Sequence, residues 1–172
     1  GTGGPRLMSC RAATNCFSPQ APKRRGYLAP WSFSGKESGV AALAEVREAV
    51  DAYPPGQRGV DGGGFEVKQA DAAKGYLYVQ FESLRYGYID DLEFQLADPR
   101  AAGGAGRVLV RSASRVGEGD FGVNALRLNR LAADLRAKGG WEAPAISRAT
   151  HPEYWEMNCR LPGASDLPEC AA

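Results

Sequence analysis

The chain has 172 residues, with 21 basic side chains against 20 acidic ones for a formal net charge of +1, and 44% of its residues are hydrophobic. That length suits one domain with terminal arms and can bury a sizeable core, while near-neutrality removes the electrostatic case for nucleic-acid binding. No stretch approaches the roughly 20 consecutive apolar residues of a membrane span, so any relation to a membrane is expected to be peripheral.

Residues 1–35 are dense in Gly, Pro and Ser and hold no period, so an irregular N-terminal arm is expected there, pinned by Tyr27, Pro30, Trp31 and Phe33. Its one basic run, Lys23-Arg24-Arg25, reads as a solvated loop. The chain starts at Gly1 rather than Met, which leaves room for an upstream targeting piece. A first helix is predicted over 37–52 from Val40, Leu43, Val46 and Val50, with Ser34 or Ser38 as cap and Pro54-Pro55-Gly56 as stop. A Gly-rich loop over 59–64 follows.

Four strands are then predicted. The first covers 65–68. The second, 76–83, alternates Leu77, Val79 and Phe81 with Tyr76, Tyr78, Gln80 and Glu82. The third, 89–96, sets Leu92, Phe94 and Leu96 against Asp91, Glu93 and Gln95. The fourth, 107–114, places Val108 and Val110 opposite Leu109 and Arg111. A second helix over 123–138 carries Leu126, Leu128, Leu131 and Leu135 and ends at Gly139-Gly140. Hairpin-length links make the sheet antiparallel. The expected fold is therefore α+β: a four-stranded antiparallel sheet with two helices on one face, a core domain over 36–138, and irregular arms over 1–35 and 139–172. In the C-terminal arm, Trp141, Tyr154 and Trp155 either staple the tail to the domain or anchor it in a partner.

The four cysteines fall in terminal pairs, Cys10 with Cys16 and Cys159 with Cys170. Their spacings lack the C-x₂-C knuckles of most zinc sites, so disulfides are expected, each stabilising by about 3 kcal/mol through unfolded-state entropy. Three pairings are possible. Disulfides imply an oxidising compartment: periplasm, secretory space or thylakoid lumen.

Charge is concentrated on the middle strands. Asp90 and Asp91 are adjacent, so they point to opposite faces. Asp91 and Glu93 share a face, with Glu82 beside them and Arg85, Arg111 and Arg115 close by. Paired carboxylates can serve as general acid and base, but neighbouring arginines hold them ionised, and cross-strand ion pairs explain the pattern equally. Arg111 and Arg115 lie four apart on one face and could fork onto carboxylates or an anion. Asp120 or Asn124 could cap the second helix, with Gly117, Gly119 and Gly122 making the turn. The run Gly117-Glu118-Gly119-Asp120-Phe121-Gly122 resembles a dinucleotide loop only superficially, because no parallel βαβ unit surrounds it. The one histidine, His151, lies in the tail, Ser112 and Ser114 have no nucleophile elbow, and no metal-ligand motif occurs.

Four segments carry a resemblance: 15–21 (Asn15 to Ala21), Phe81-Glu82-Ser83 with 87–94 (Gly87 to Phe94), 111–117 (Arg111 to Gly117), and Asp120-Phe121-Gly122-Val123-Asn124. Over about 10–138 the chain resembles the domain-of-unknown-function family numbered 1499, whose members occur in bacteria and as chloroplast proteins, including thylakoid-lumen ones, in photosynthetic eukaryotes. No catalytic residue carries over. The resemblance implies a non-catalytic accessory or assembly subunit of a photosynthetic membrane complex, docked on the lumenal side of a photosystem, without a cofactor or metal. Arg85, Asp91, Glu93, Arg111, Arg115, Trp141, Tyr154 and Trp155 are the candidate partner contacts. A periplasmic location is the alternative compartment. Two other functions stay open: a binder of a small hydrophobic ligand or lipid, with Tyr76, Tyr78 and Tyr86 lining its site, and a hydrolase or isomerase using Asp91 and Glu93.

Overall fold

The computed structural model describes residues 7–11 and 14–171. Its centre is an antiparallel meander of four strands, β3 (Gly64–Asp71), β4 (Tyr76–Glu82), β5 (Ile89–Leu96) and β6 (Gly106–Ser114). The register pairs Leu77 with Phe94, Val79 with Leu92 and Phe94 with Val110, so apolar side chains from three strands meet on one face. Helices α1 (Gly39–Asp51) and α2 (Val123–Lys138) cover that face. Leu43, Val46 and Val50 of α1 and Leu128, Leu131 and Leu135 of α2 are buried against it. Each fully buried aliphatic side chain contributes roughly 1.5–3 kcal/mol, which makes this layer the main source of stability.

The sheet has seven strands rather than the expected four, in the order β3-β4-β5-β6-β2-β7 with β1 also on β6. The extra strands come from the arms: β1 (Cys16–Phe17), β2 (Trp31–Phe33) and β7 (Trp141–Glu142). Strands β1 and β2 share one edge of β6, β1 near its C-terminal end and β2 near its N-terminal end. Strands of two or three residues show no alternation; the long β6 edge decides that β1 and β2 pair, and β2 then offers its other edge to β7. The tail also forms α3 (Pro152–Cys159), a third helix. Both arms are thus built into the α+β body.

Local rules set the helix ends. Ser38 Oγ accepts from the Ala41 N–H at 3.0 Å, the N-cap of α1. Pro54 and Pro55 follow the helix and cannot extend it. Burial decides the tail: Trp141 is buried beside Phe33, and Tyr154 and Trp155 are fully enclosed, with Phe17 packed on Tyr154 at 4.6 Å. The tail aromatics therefore act as staples. The cysteines pair with their sequence neighbours, Cys10–Cys16 and Cys159–Cys170, which fits an oxidising, extracytoplasmic compartment. Among the described residues, no helix is long and apolar enough to cross a membrane.

Candidate functional site

Alternation along β5 sends its two adjacent aspartates to opposite faces, and each ends in a different electrostatic setting. On the outer face, Asp91 takes a fork from Arg115 (Nε 2.9 Å, Nη2 2.8 Å) and the Tyr78 hydroxyl at 2.6 Å. Glu93 takes Arg111 Nη1 at 2.9 Å and the Tyr76 hydroxyl at 2.7 Å. Burial pushes the Asp91 carboxyl up, but the bonds from Arg115 and Tyr78 outweigh it and hold the carboxyl below its ordinary range. Burial, then the bond to Glu93, raises the Tyr76 hydroxyl. Residues from the N-terminal arm lie across this lattice, with the Met8 N–H on Glu93 and the Ser9 carbonyl on Arg111. The outer face is an internal ion-pair lattice, with its carboxylates already engaged.

Asp90 faces the helices instead, and there the apolar face of the sheet turns polar. The alternation of Val108 and Val110 continues to Ser112 and Ser114, and the stripe of Leu128 and Leu131 continues back to Asn124 and Arg127. Arg127 is completely buried and uses all five of its N–H groups. Two reach Asp61 (2.8 and 2.6 Å), one Asp90 (2.6 Å), one Ser112 Oγ (3.1 Å) and one Asn124 Oδ1 (2.9 Å). Its guanidinium lies 4.5 Å over the Phe81 ring. Burial opposes its charge, and Asp61 and Asp90 more than offset that.

Asp120 completes the cluster. Its carboxylate accepts the Tyr154 hydroxyl at 2.7 Å, Asn124 Nδ2 at 2.6 Å, and the N–H groups of Gly122 and Asn124 at 3.0 and 3.3 Å. It thereby closes the start of α2, as the capping expectation held for this residue. Burial pushes its carboxyl up to about 6, against the bonds from Tyr154 and Asn124. Phe121 follows with φ +56° and Gly122 with φ +77°. A Cβ on Gly122 would stand 2.8 Å from the Trp155 ring, so both the backbone angle and the tail packing require glycine there.

Above this floor opens a cavity of about 620 Å³. Tyr86 and Tyr88 of the β4–β5 turn, stacked at 5.2 Å, form one wall of its mouth. Val116 and Phe121 from the β6–α2 turn form another, and Met157 and Leu161 of the tail close the third. Tyr86, Tyr88, Val116 and Phe121 are all exposed at the rim. Among the described residues, two of the three non-glycine residues with positive φ, Asp61 and Phe121, line it, and the third, Arg58, precedes the lining Gly59. Such backbone outliers cluster where surrounding structure over-determines a site.

A family model described as "Protein of unknown function (DUF1499)" matches residues 6–135. The chain belongs to this family. No curated protein matches it, and no solved structure does. The DUF1499 span holds Asp61, Asp90, Asp120, Asn124 and Arg127, whereas the Met157–Leu161 wall lies beyond it.

The structure disperses the sequence-derived candidates within the DUF1499 chain. Asp91, Glu93, Arg111 and Arg115 meet one another on the outer face, and only Arg115 is substantially exposed. Trp141, Tyr154 and Trp155 are interior, so they offer no surface to a partner. Arg85 is exposed, its guanidinium 5.4 Å over the Tyr86 ring. Tyr86 lines the cavity as expected for a binding site, while Tyr76 and Tyr78 belong to the outer lattice. Sequence reasoning missed Asp61 and Arg127. A legible signal existed for Arg127, a cation on the apolar stripe four residues before Leu131. Asp61 lies in a Gly-rich loop that carries no period.

Proposed function

We propose that this chain is a non-catalytic binding protein of an oxidising compartment, the thylakoid lumen on the strength of the family resemblance, and that it holds a small amphipathic ligand in the cavity beneath Tyr86 and Tyr88. One observation carries the reading: a cavity of about 620 Å³ with an exposed aromatic rim and a polar, largely buried floor. Small-molecule sites typically occupy ~300–1,000 Å³ and combine apolar walls with a few converging polar groups. The bound ligand's apolar body would lie against Tyr88, Val116 and Phe121. An acid–base role for Asp91 is poorly served, since both its oxygens are hydrogen-bonded and its proton affinity is lowered.

The test is a titration of the full chain with N-phenyl-1-naphthylamine, a neutral probe that fluoresces in apolar surroundings. Saturable binding is expected, weakened roughly tenfold (~1.4 kcal/mol) in Tyr88→Ala combined with Phe121→Ala. Both residues are exposed, so the fold should survive, as circular dichroism would show. Absence of saturable binding by the unaltered chain would overturn the reading.

A second reading, an accessory subunit docked on a photosystem, is favoured by the same rim. Leu84, Tyr86, Tyr88, Val116 and Phe121 leave an apolar patch in solvent, the kind of surface that marks an interaction site. Native complexes isolated in mild detergent would carry the chain with a photosystem core on this reading. Migration as a single free chain would count against it.

A further inference from the structure

The charges around the cavity are one-sided. Among the described residues, four carboxylates line it (Asp61, Asp90, Glu118 and Asp120), and no Lys, Arg or His does. Beneath the floor, Arg127 is the only guanidinium in the cluster and has no N–H left to offer. Three buried aspartates therefore stand against one cation. The whole chain carries a formal charge of +1, so this negative character is local and is not a general property of the surface.

Within the cluster, the partners are unevenly shared. Asp61 Oδ2 takes Arg127 and the Tyr53 hydroxyl, and its Oδ1 takes Arg127 again. Asp120 is met by four donors. Asp90 gives Oδ2 to Arg127, but its other oxygen, Oδ1, has no hydrogen-bond partner among the described residues. The residue is only 8% exposed, yet it lines the cavity. That oxygen faces the cavity from a largely buried side chain, so it is placed to accept from a donor that enters. Above it stand the stacked rings of Tyr86 and Tyr88, whose faces attract cations. Arg85 already sits over Tyr86 from the solvent side, 5.4 Å from its centroid.

We infer that the cavity selects an amphipathic organic cation, such as an alkyl or aryl ammonium, with its head at Asp90 and its apolar body against Tyr88 and Phe121. This rests on the binding reading above and adds the sign of the ligand's charge. An anion would meet four lining carboxylates, only two of which are paired with Arg127. An inorganic cation is poorly served, since no group of three His, Cys, Asp or Glu side chains placed to hold a metal occurs among the described residues.

Three ten-carbon probes separate the possibilities: decylammonium, decanol and decanoate, each titrated calorimetrically into the full chain below its micelle concentration. Decylammonium is expected to bind at least about tenfold more tightly than decanol, with decanoate weakest. Asp90→Asn should bring the ammonium to the level of the alcohol. Glu118→Gln, at an exposed rim position that lines the cavity, should weaken the ammonium alone by a few-fold and serves if the Asp90 variant fails to fold. Equal affinity for all three probes would overturn the charge inference and leave the binding reading standing. A preference for decanoate would overturn it too. No binding of any probe would remove both.

Discussion

At the scale of single residues, the run from Asp120 to Asn124 shows how five positions divide their labour. Asp120 gathers four donors, Phe121 adopts φ +56° with its ring at the cavity mouth, Gly122 lets the Trp155 ring approach, and Asn124 bridges Asp120 to Ser114 and Arg127. The left-handed angle costs a bulky residue such as Phe121 about 1–2 kcal/mol, a cost consistent with a role at the rim. Asp120 predicts a pH signature. Its folded pKa, about 6, lies above the ordinary value of 3.8, so the folded state binds the proton more tightly than the unfolded chain between those values. Stability from this group is greatest below the unfolded pKa and declines as pH rises through about 6. Asp91 acts oppositely. Its carboxyl is held low, and the stability it contributes is lost only as pH falls below the ordinary carboxylate range. Urea midpoints measured between about pH 4 and 7 should therefore slope downward with pH for the Asp120 contribution, and Asp120→Asn should flatten that slope. An unchanged slope in the variant would show that Asp120 does not titrate there.

At the scale of elements, α2 carries both the helix–sheet core and the polar cluster, split by one turn. Its last three turns bring leucines to the sheet, and its first turn brings Asn124 and Arg127 to the end of β5 and β6. Removing Arg127 would leave Asp61 and Asp90 buried without their counter-charge. Arg127→Leu is expected to lower unfolding free energy by about 3–5 kcal/mol, the usual effect of breaking a buried pair. Arg115 offers the contrast. It also forks onto an aspartate, but about half of its side chain is in solvent, so Arg115→Ala should cost no more than about 1 kcal/mol. Chemical denaturation of the two variants would check the difference, and equal losses would contradict this division between a half-exposed arginine and a buried one.

At the scale of the whole molecule, the tail completes the pocket. Helix α3 buries Tyr154 and Trp155 under the β6–α2 turn, and Met157 and Leu161 then stand at the cavity wall. The Cys159–Cys170 disulfide ties that segment shut, and Arg58 on Glu169 fastens it to the loop after α1. Replacing both cysteines by Ser should cost about 3 kcal/mol on the chain-entropy account and also weaken probe binding, because one wall is loosened. The corresponding change at Cys10 and Cys16 lies on the outer face and should leave probe affinity unchanged. If both double variants bound the probe as the unaltered chain does, the tail would not form part of the site.

Much of the element plan was legible in the residues. Period-two alternation over 76–82 and the helical stripe from Leu128 to Leu135 each report which side is buried, because burial repeats with the geometry of the element itself, whereas over 89–96 the alternation separates an apolar from a polar face and both are buried. The same alternation put Asp90 and Asp91 on opposite faces, and the structure keeps them there. Three features had no local signature. Strands β1, β2 and β7 are too short to alternate; β1 and β2 exist because the long β6 offers them an edge, and β7 adds in turn to β2. Trp155 reads the same in sequence whether it packs inward or meets a partner, and only the space beneath Gly122 decided. The cluster under the cavity joins Asp61, Asp90 and the segment from Asp120 to Arg127, three separate stretches of chain. The sequence by itself determined the family, the meander, the two long helices and the pairing logic of the charged strands, since each rests on neighbours close in the chain. The tertiary structure alone decided which charges are spent on one another and which face an open cavity, since that depends on distances between residues the chain keeps far apart.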